Sequence, residues 1–189
     1  MDDQAVILRC RQGDRAAYEL LVEKYQSPLV ALLGRMFGNR DDARDVAQEA
    51  FIQAYLKLEQ FDPQKSFKSW LFTIAVRRSI DLLRRRTSFR RLISGLHLSV
   101  VEAGAAAPVP DTEASPLCRV LLSRVSAGER AVLLLKVMEG YSTEETAVAL
   151  NCSETTVRVH LLNARRKLRR VLDSPHEAIT GRRTSQEVP

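Results

Sequence analysis

Near its middle the chain contains a stretch that is poorly suited to a folded core. Residues 95–116 read GLHLSVVEAGAAAPVPDTEASP, with three prolines, two glycines and no lysine or arginine. Such a segment buries little apolar surface, so we expect a flexible or partly extended connector with a short apolar island. The sequence therefore predicts a first domain over residues 1–91, a linker over 92–116, a second domain over 117–172 and a frayed tail over 173–189.

Composition predicts that both domains are helical. Only 6% of the residues are aromatic, and Leu, Ala, Val, Arg and Glu dominate the rest, which favours an all-α fold of two small helical domains. No uncharged apolar run approaches the roughly 18 residues needed to cross a bilayer, and the first residues are acidic. We therefore expect a cytoplasmic protein without membrane insertion.

The cysteines and the acidic residues do not form a recognisable metal or catalytic motif. Cys10, Cys118 and Cys152 are far apart, odd in number and without a C-x-x-C pair, so we expect neither a disulfide framework nor a zinc site. They are expected to act as small apolar residues. The sequence also lacks a phosphate-binding glycine loop and a nucleophile elbow. We expect no metal, no cofactor and no enzymatic activity.

Start and stop signals predict four or five helices in the first domain. Gly13-Asp14 is expected to end a short helix and to cap the next one, and Ser27-Pro28 is typical of a helix start. Gly38-Asn39 is expected to close that helix. The second domain is expected to contain a helix over residues 126–140, with Ala131, Leu134, Leu135 and Met138 inward.

The helix predicted over residues 41–58 has one apolar and one polar face. At about 100° per residue its apolar residues form one arc, the expected core face, comprising Ala43, Val46, Ala47, Ala50, Phe51, Ala54 and Leu58. The opposite arc carries Asp41, Asp45, Gln48, Glu49 and Ile52. An apolar residue among acids and amides is typical of a protein interface, although single exposed apolar residues are also common.

The next helix, predicted over residues 66–86, is basic on one side. Leu71, Phe72, Ala75, Val76, Ile80, Leu82 and Leu83 share one side, and Trp70, Thr73, Ile74, Arg77, Arg78, Arg84 and Arg85 share the other. A flat aromatic beside guanidinium groups suits nucleic acid, because rings stack on bases while arginines hold phosphates. Packing of Trp70 and Ile74 against a neighbouring helix is the alternative.

The second domain has the pattern of a helix-turn-helix. Ser142 and Glu145 form a capping box, Asn151-Cys152 makes a tight turn, and Ser153 caps a basic helix. On that helix the apolar stripe is Val157, Leu161, Ala164, Leu168 and Val171. The residues facing away from it, expected to enter a DNA major groove, are Thr155, Thr156, Arg158, Val159, Leu162 and Arg166. The basic cluster at residues 165–167 is expected to hold phosphates.

Charge supports two contacts with one polyanion. The chain carries +6 overall, whereas residues 65–91 hold nine Lys/Arg and one acid, and residues 153–170 hold six and one. The remainder is thus acidic on balance, which favours two nucleic-acid contacts over a uniformly basic surface. Solvated arginine-rich helix ends are the alternative for either block taken alone.

Three segments in order resemble regions 2 and 4 of a bacterial sigma factor of the extracytoplasmic-function (ECF) group. They are DDARDVAQEAFIQAY at 41–55, SFKSWLFTIAVRRSIDLLRRR at 66–86 and GYSTEETAVALNCSETTVRVHLLNARRKLRR at 140–170. The resemblance covers about 150 of the 189 residues. It implies promoter DNA and core RNA polymerase, through its β′ clamp and β flap, as partners, and an anti-sigma factor as a regulator.

The resemblance also implies roles for individual residues. Asp41, Asp45, Gln48, Glu49 and Ile52 match the polymerase-contacting part of region 2. The residues that match −10 recognition and strand melting are Phe61, Lys65, Ser66, Trp70, Thr73, Arg77, Arg78, Arg84 and Arg85. The outward residues of the final helix match −35 recognition. Promoter elements about 25 base pairs apart lie about 85 Å apart along the duplex, and a fully extended segment from Thr87 to Pro116 spans up to about 100 Å.

Some positions depart from the family pattern. Many members carry Asn where this chain has Arg77, and an arginine-rich run where it has Val159, His160 and Asn163. His160 is compatible with a hydrogen bond to DNA and equally with an ordinary helix position. A stand-alone helix-turn-helix regulator, which would bind a palindromic operator without polymerase, is the main alternative function. A nucleic-acid-processing enzyme is a second alternative, and it would need an acidic or metal-binding cluster near the basic helices.

Overall fold

Every regular element in the described part of the chain is helical. The computed structural model describes residues 2–95 and 116–173, with side chains described except at 90–95 and 116. Eight α-helices occupy these ranges, namely α1 (Asp3–Arg11), α2 (Ala17–Phe37), α3 (Arg40–Leu56), α4 (Phe67–Gly95), α5 (Pro116–Ser123), α6 (Ala127–Leu133), α7 (Thr143–Leu150) and α8 (Glu154–Asp173). The all-α prediction is confirmed, while most of the predicted linker and tail lie outside the described residues.

The second helix is longer than its sequence signals predict. α2 continues through Pro28, whereas Ser27-Pro28 was expected to begin a new helix. A proline removes one backbone donor, but burial of Leu29, Leu32 and Leu33 on the following turns holds the helix together. Gly38 then ends α2 in a left-handed conformation, as predicted.

The core of the first domain lies between α2, α3 and α4. All seven residues of the predicted apolar arc over residues 41–58 are buried. Six of them lie on α3 and confirm its orientation, whereas α3 ends at Leu56 and Leu58 lies in a short 3₁₀ helix over Leu58–Gln60. On α4 the five predicted core residues from Leu71 to Ile80 are buried, and Leu82 and Leu83 are half-buried. α4 extends to Gly95, beyond the predicted end at residue 86.

Two short helices of the second domain, α6 and α7, each begin with a capping box. Ser126 and Glu129 cap α6, and Ser142 and Glu145 cap α7 as the sequence predicts. The predicted single helix over 126–140 is instead α6 followed by a π-helical turn over Leu134–Met138. The π turn rotates the chain, so that Met138 is 47% exposed rather than inward as expected.

The two domains pack against each other. Ala131, Leu134, Leu135 and Ala149 belong to the same buried cluster as the core of the first domain. A smaller cluster of Val132, Ala147 and Val157 holds the second domain together. The domain boundaries remain a prediction, and the described residues add an extensive contact between the domains.

The three cysteines are spread over both domains. Cys10 is buried, and Cys118 and Cys152 are half-buried. The thiols of Cys10 and Cys152 are free. Burial raises the pKa of the Cys10 and Cys152 thiols. Within residues 2–95 and 116–173, no helix has the length and apolar character needed to cross a membrane. The same residues contain no group of three or more potential metal ligands.

Candidate protein and nucleic-acid interfaces

The outer face of α3 presents the acidic patch expected from the sequence. Asp41, Asp45, Gln48 and Glu49 are exposed, and the Ile52 side chain among them is 51% exposed. Asn39 begins the helix by accepting a hydrogen bond from the Asp41 backbone N–H at 2.9 Å. The five predicted residues are therefore brought together on one surface of one rigid helix.

Ile52 lies at one side of a groove that was not predicted from the sequence. One turn further along α3, Leu56 is 68% exposed, and Tyr55 beside it is also exposed. With α2 these residues line a groove of about 970 Å³. Its charged lining residues are Arg15, Glu19, Glu23, Arg35, Arg40 and Arg44. The spacing of Ile52 and Leu56, four residues apart on a helix, is the sequence signal that identifies this apolar stripe.

The acidic patch is also tied to the basic helix α4. Arg78 Nε donates to Glu49 Oε2 at 2.6 Å, and this hydrogen bond holds the pKa of Glu49 below its usual range. Arg86 forms a two-pronged contact with Asp42 at 2.6 and 2.7 Å, which lowers the pKa of Asp42 in the same way. α3 and α4 are thus joined by two arginine–carboxylate pairs.

An aromatic cluster lies at the start of α4. The rings of Phe61 and Trp70 are 4.9 Å apart between centroids, and both lie within 6 Å of Phe67. The Phe61 side chain is 3% exposed, which corrects the expectation that it is presented to DNA. Trp70 is half-buried and packs against Phe61 and Phe67, which agrees with the packing alternative for this residue.

The loop between Phe61 and α4 has a defined shape. Arg11 donates to the carbonyl oxygens of Leu58, Glu59 and Phe61, which fixes the backbone at the entry of the loop. Asp62 Oδ1 accepts from the Gln64 N–H at 3.0 Å, an Asx turn. The predicted DNA-binding residues Lys65 and Ser66 are exposed at its end.

The polar side of α4 runs from Trp70 to Arg85. Thr73 is half-buried and donates to the Ser69 carbonyl, while Arg77, Arg78, Arg84 and Arg85 are exposed as residues. Arg77, however, directs its guanidinium toward the second domain, where it donates to the carbonyl oxygens of Val148 and Ala149 at 2.7 Å each. Four arginines thus share one helix side, but two of them are engaged within the protein.

The predicted recognition face of α8 is mostly open. Thr155, Arg158 and Arg166 are exposed, and Val159 and Leu162 are each about half exposed. Thr156 is half-buried, and its hydroxyl lies 2.9 Å from Ser153 Oγ, which caps the helix. Arg158 pairs with Glu154 at 2.6 Å. α8 therefore presents two arginines, one threonine and two apolar side chains on one surface.

The three basic residues at 165–167 differ in their surroundings. Arg165 and Arg166 are exposed, but Lys167 Nζ donates to both carboxylate oxygens of Glu129 at 2.9 and 2.7 Å. Burial acts to raise the pKa of Glu129, and the hydrogen bonds from Lys167 and Ser126 outweigh it and hold that pKa below its usual range. This corrects the expectation that Lys167 is free to hold phosphate.

His160 packs inside the second domain. A Cβ built on Gly128 would lie 3.3 Å from His160 Nε2, so the ring fits against the first turn of α6 where a side chain is missing. His160 and Asn163 are both half-buried. These contacts favour an ordinary structural position for His160 over a role in binding DNA.

Two sequence families match the chain, one in each domain. The family described as Sigma-70 region 2 matches residues 21–89, and the family described as Sigma-70, region 4 matches residues 119–168. These ranges include most of α4 and most of α8, the two basic helices.

Similar curated proteins match over almost their whole length. The ECF RNA polymerase sigma-E factor of Haemophilus influenzae is 32% identical over 179 residues, covering 87% of this chain and 92% of the relative. The ECF RNA polymerase sigma factor SigW of Bacillus subtilis is 31% identical over 176 residues, covering 88% and 94%.

Solved structures share the fold. A chain of the structure of CnrH in complex with the cytosolic domain of CnrY matches with a TM-score of 0.63 and 27% identity, covering 91% of this chain and 97% of that chain. The structure of the Bartonella quintana sigma factor RpoE in complex with the anti-sigma factor NepR matches with a TM-score of 0.61. Its 21% identity, over 83% of this chain and 97% of that chain, shows the fold alone.

Proposed function

Because the chain belongs to the ECF family of RNA polymerase sigma factors, we propose that it recruits core polymerase to promoters through two separate DNA-binding surfaces. One observation carries this proposal. Each matched region includes most of one helix with clustered arginines, α4 in the first domain and α8 in the second. In this proposal the chain directs transcription initiation and is not itself a catalyst. It acts in the cytoplasm, where it binds core polymerase.

The acidic patch of α3 is the surface we assign to polymerase. It combines the charge of Asp45 and Glu49 with the exposed side chain of Ile52, and an apolar residue inside a polar rim is the usual composition of a protein–protein contact. Asp41 and Gln48 complete the patch. A basic or polar surface on the clamp of polymerase is the complementary partner.

The start of α4 and the preceding loop are the surface we assign to the −10 element. Lys65 and Ser66 are exposed in the loop, Trp70 is partly exposed, and the exposed Arg84 and Arg85 follow along the helix. Stacking of an unpaired base on an aromatic ring is worth about 1–3 kcal/mol and would favour local strand opening. Thr73, Arg77 and Arg78 lie on the same side of α4.

The exposed face of α8 is the surface we assign to the −35 element. A recognition helix reads base edges with residues near its amino-terminal end, and Thr155, Arg158 and Val159 occupy that end. Leu162 and Arg166 extend the same face, and Arg166 is placed to contact phosphate. Thr156 contributes indirectly, because its backbone N–H donates to the capping residue Ser153 at the start of the helix. Its hydrogen bond to Ser153 fixes where α8 begins.

Regulation by an anti-sigma factor is part of the proposal. The similar chains CnrH and RpoE are in complexes with the cytosolic domain of CnrY and with NepR, respectively. A partner that covers the acidic patch or the adjoining groove of α2 and α3 would compete with polymerase. A stress-responsive set of promoters is the expected target.

Binding to core polymerase tests the assignment of α3. Asp45→Arg reverses one exposed charge of the patch, and we expect polymerase affinity to fall at least tenfold because like charges would then face each other. Asp173→Arg makes the same change at an exposed acid at the end of α8 and should leave affinity within twofold. Equal affinities of the two variants would contradict the assignment.

A further inference from the structure

Arg11 on α1 holds the backbone that leads into the loop over residues 62–66. Its half-buried guanidinium donates to the carbonyl oxygens of Leu58, Glu59 and Phe61, and the two distances to Leu58 are 2.8 and 3.2 Å. Carbonyl groups at the end of a short helix lack partners within that helix, and a planar guanidinium has enough donors to serve several of them. Arg11 therefore fixes three backbone positions at the entry of the loop.

Gln4 contacts the same loop from the same helix. Its Nε2 donates to the carbonyl oxygen of Pro63 at 2.9 Å. Gln4 and Arg11 are separated by about two turns of helix, so both side chains project from one side of α1. That side of α1 thus contacts the backbone both at the entry and in the middle of the loop.

α1 is itself anchored to the body of the first domain. Val6 and Ile7 are buried in the core of that domain. Asp3 accepts hydrogen bonds from Lys24 Nζ at 2.6 Å and from the Tyr25 hydroxyl, both on α2. Because these contacts hold α1 in place, its polar side chains reach the loop from a fixed position.

The loop is exposed between two buried ends. Phe61 and Phe67 are at most 3% exposed, whereas residues 62–66 are all exposed. Asp62 forms the Asx turn within the loop, and Ser66 Oγ begins α4 by accepting a backbone N–H at 3.3 Å. A loop that is ordered before binding does not lose conformational entropy when it meets a ligand. Its fixed shape also favours ligands that fit over those that would require it to rearrange.

We propose that Arg11 and Gln4 are positioning residues for the −10 element, which set the shape of the loop over residues 62–66 so that it discriminates among unpaired bases. The inference rests on the proposed function, because it assumes that this loop meets the melted −10 strand. Both residues act through the loop backbone and neither contacts DNA. The range matched by the region 2 family begins at residue 21, so α1 lies before it.

The experiment measures base preference with holoenzyme assembled from core polymerase and full-length variants. Each holoenzyme captures DNA from a random pool of single strands of about 12 nucleotides, and the pool is sequenced before and after capture. Arg11→Met removes the guanidinium, and Arg9→Met is its charge-matched control, because Arg9 is an exposed arginine of the same helix that pairs with Asp14. Gln4→Met removes one donor without a change of charge, and Gln12→Met, at the exposed residue after α1, is its control.

We expect the wild-type holoenzyme to enrich one base strongly at one position of the captured strand. Arg11→Met should reduce that enrichment at least about fivefold and Gln4→Met about twofold, because the loop is then free to rearrange around other bases. Affinity for a strand with an abasic site at that position should stay within about twofold of the wild type, since the phosphate contacts of α4 are unchanged. Both control variants should match the wild type in the two measurements.

The two measurements separate positioning from general support of the fold. Unchanged base preference in Arg11→Met and Gln4→Met, or an equal loss of affinity for every strand, would overturn the proposal. If Arg11→Met does not assemble with core polymerase, Gln4→Met decides, because Gln4 is exposed and its loss removes a single contact to the loop. A wild-type holoenzyme that shows no base preference would count against the proposed function instead.

Discussion

Glu49 on α3 and Arg78 on α4 form an ion pair whose shortest distance is 2.6 Å, and each belongs to a different proposed interface. Glu49 lies in the acidic patch assigned to polymerase, and Arg78 lies on the basic side of the helix assigned to the −10 element. Both side chains are about half exposed. The pair therefore contributes little to stability but places the two interfaces in direct contact.

Breaking this pair should change DNA binding more than folding. In Glu49→Gln, Arg78 loses its charged partner, so we expect tighter binding of single-stranded DNA and a melting temperature within about 2 °C of the wild type. Fluorescence anisotropy and thermal unfolding measure the two effects. Glu59→Gln, at another exposed acid, should change neither, and weaker DNA binding by Glu49→Gln would contradict the role given to Arg78.

Lys167 is expected to stabilise the second domain rather than to bind DNA. Lys167→Met leaves the buried carboxylate of Glu129 without the partner that donates to both of its oxygens, at a cost of about 1–3 kcal/mol at pH 7. Urea unfolding measures the free energy. Arg166→Met, at an exposed neighbour, should cost less than about 0.5 kcal/mol, and similar losses in both variants would argue against the pair.

The stabilisation by Glu129 should depend on pH with a definite sign. Because the folded pKa of Glu129 lies below its unfolded value, its contribution is fully present above the unfolded pKa and is lost as the pH falls through the folded pKa. The difference between wild type and Lys167→Met should therefore be smaller at pH 4 than at pH 7. A difference that grows on acidification would show that the pair does not act in this way.

The turn of the helix-turn-helix depends on one left-handed residue. Asn151 has φ 50° and ends α7, so Asn151→Ala should destabilise the protein by about 1 kcal/mol. Asn151→Gly adopts the same conformation without the steric cost and should remain within about 0.5 kcal/mol of the wild type. Equal melting temperatures for the alanine and glycine variants would exclude this explanation of the turn.

Arg158 and Arg166 should affect DNA binding in different ways. Arg158→Ala should weaken selection at one or two positions of the −35 element by about 1–3 kcal/mol, because it removes a contact to base edges. Arg166→Ala should weaken binding to all sequences about equally, as expected for a phosphate contact. Competition binding with a library of duplexes separates the two, and an unchanged sequence profile for Arg158→Ala would remove it from the recognition face.

Local patterns predicted the helices better than the contacts between them. The apolar arc of α3 and the left-handed Asn151 follow from periodicity and steric preference, which act within a few residues. Pro28 inside α2 and the outward Met138 did not follow, since tertiary packing and a π turn override the local signals there. Neither the pairing of Lys167 with Glu129 nor the docking of Arg77 on α7 has a local signature, because each joins residues distant in sequence.

The measurement that tests the account most directly is transcription with purified core RNA polymerase on fragmented genomic DNA of the source organism, with and without this chain, followed by sequencing of the transcript 5′ ends. We predict new start sites that appear only with the chain and share two upstream motifs about 25 base pairs apart. Start sites independent of the chain, or binding of a palindromic site without polymerase, would contradict the assignment of α4 and α8 to the two elements of one promoter.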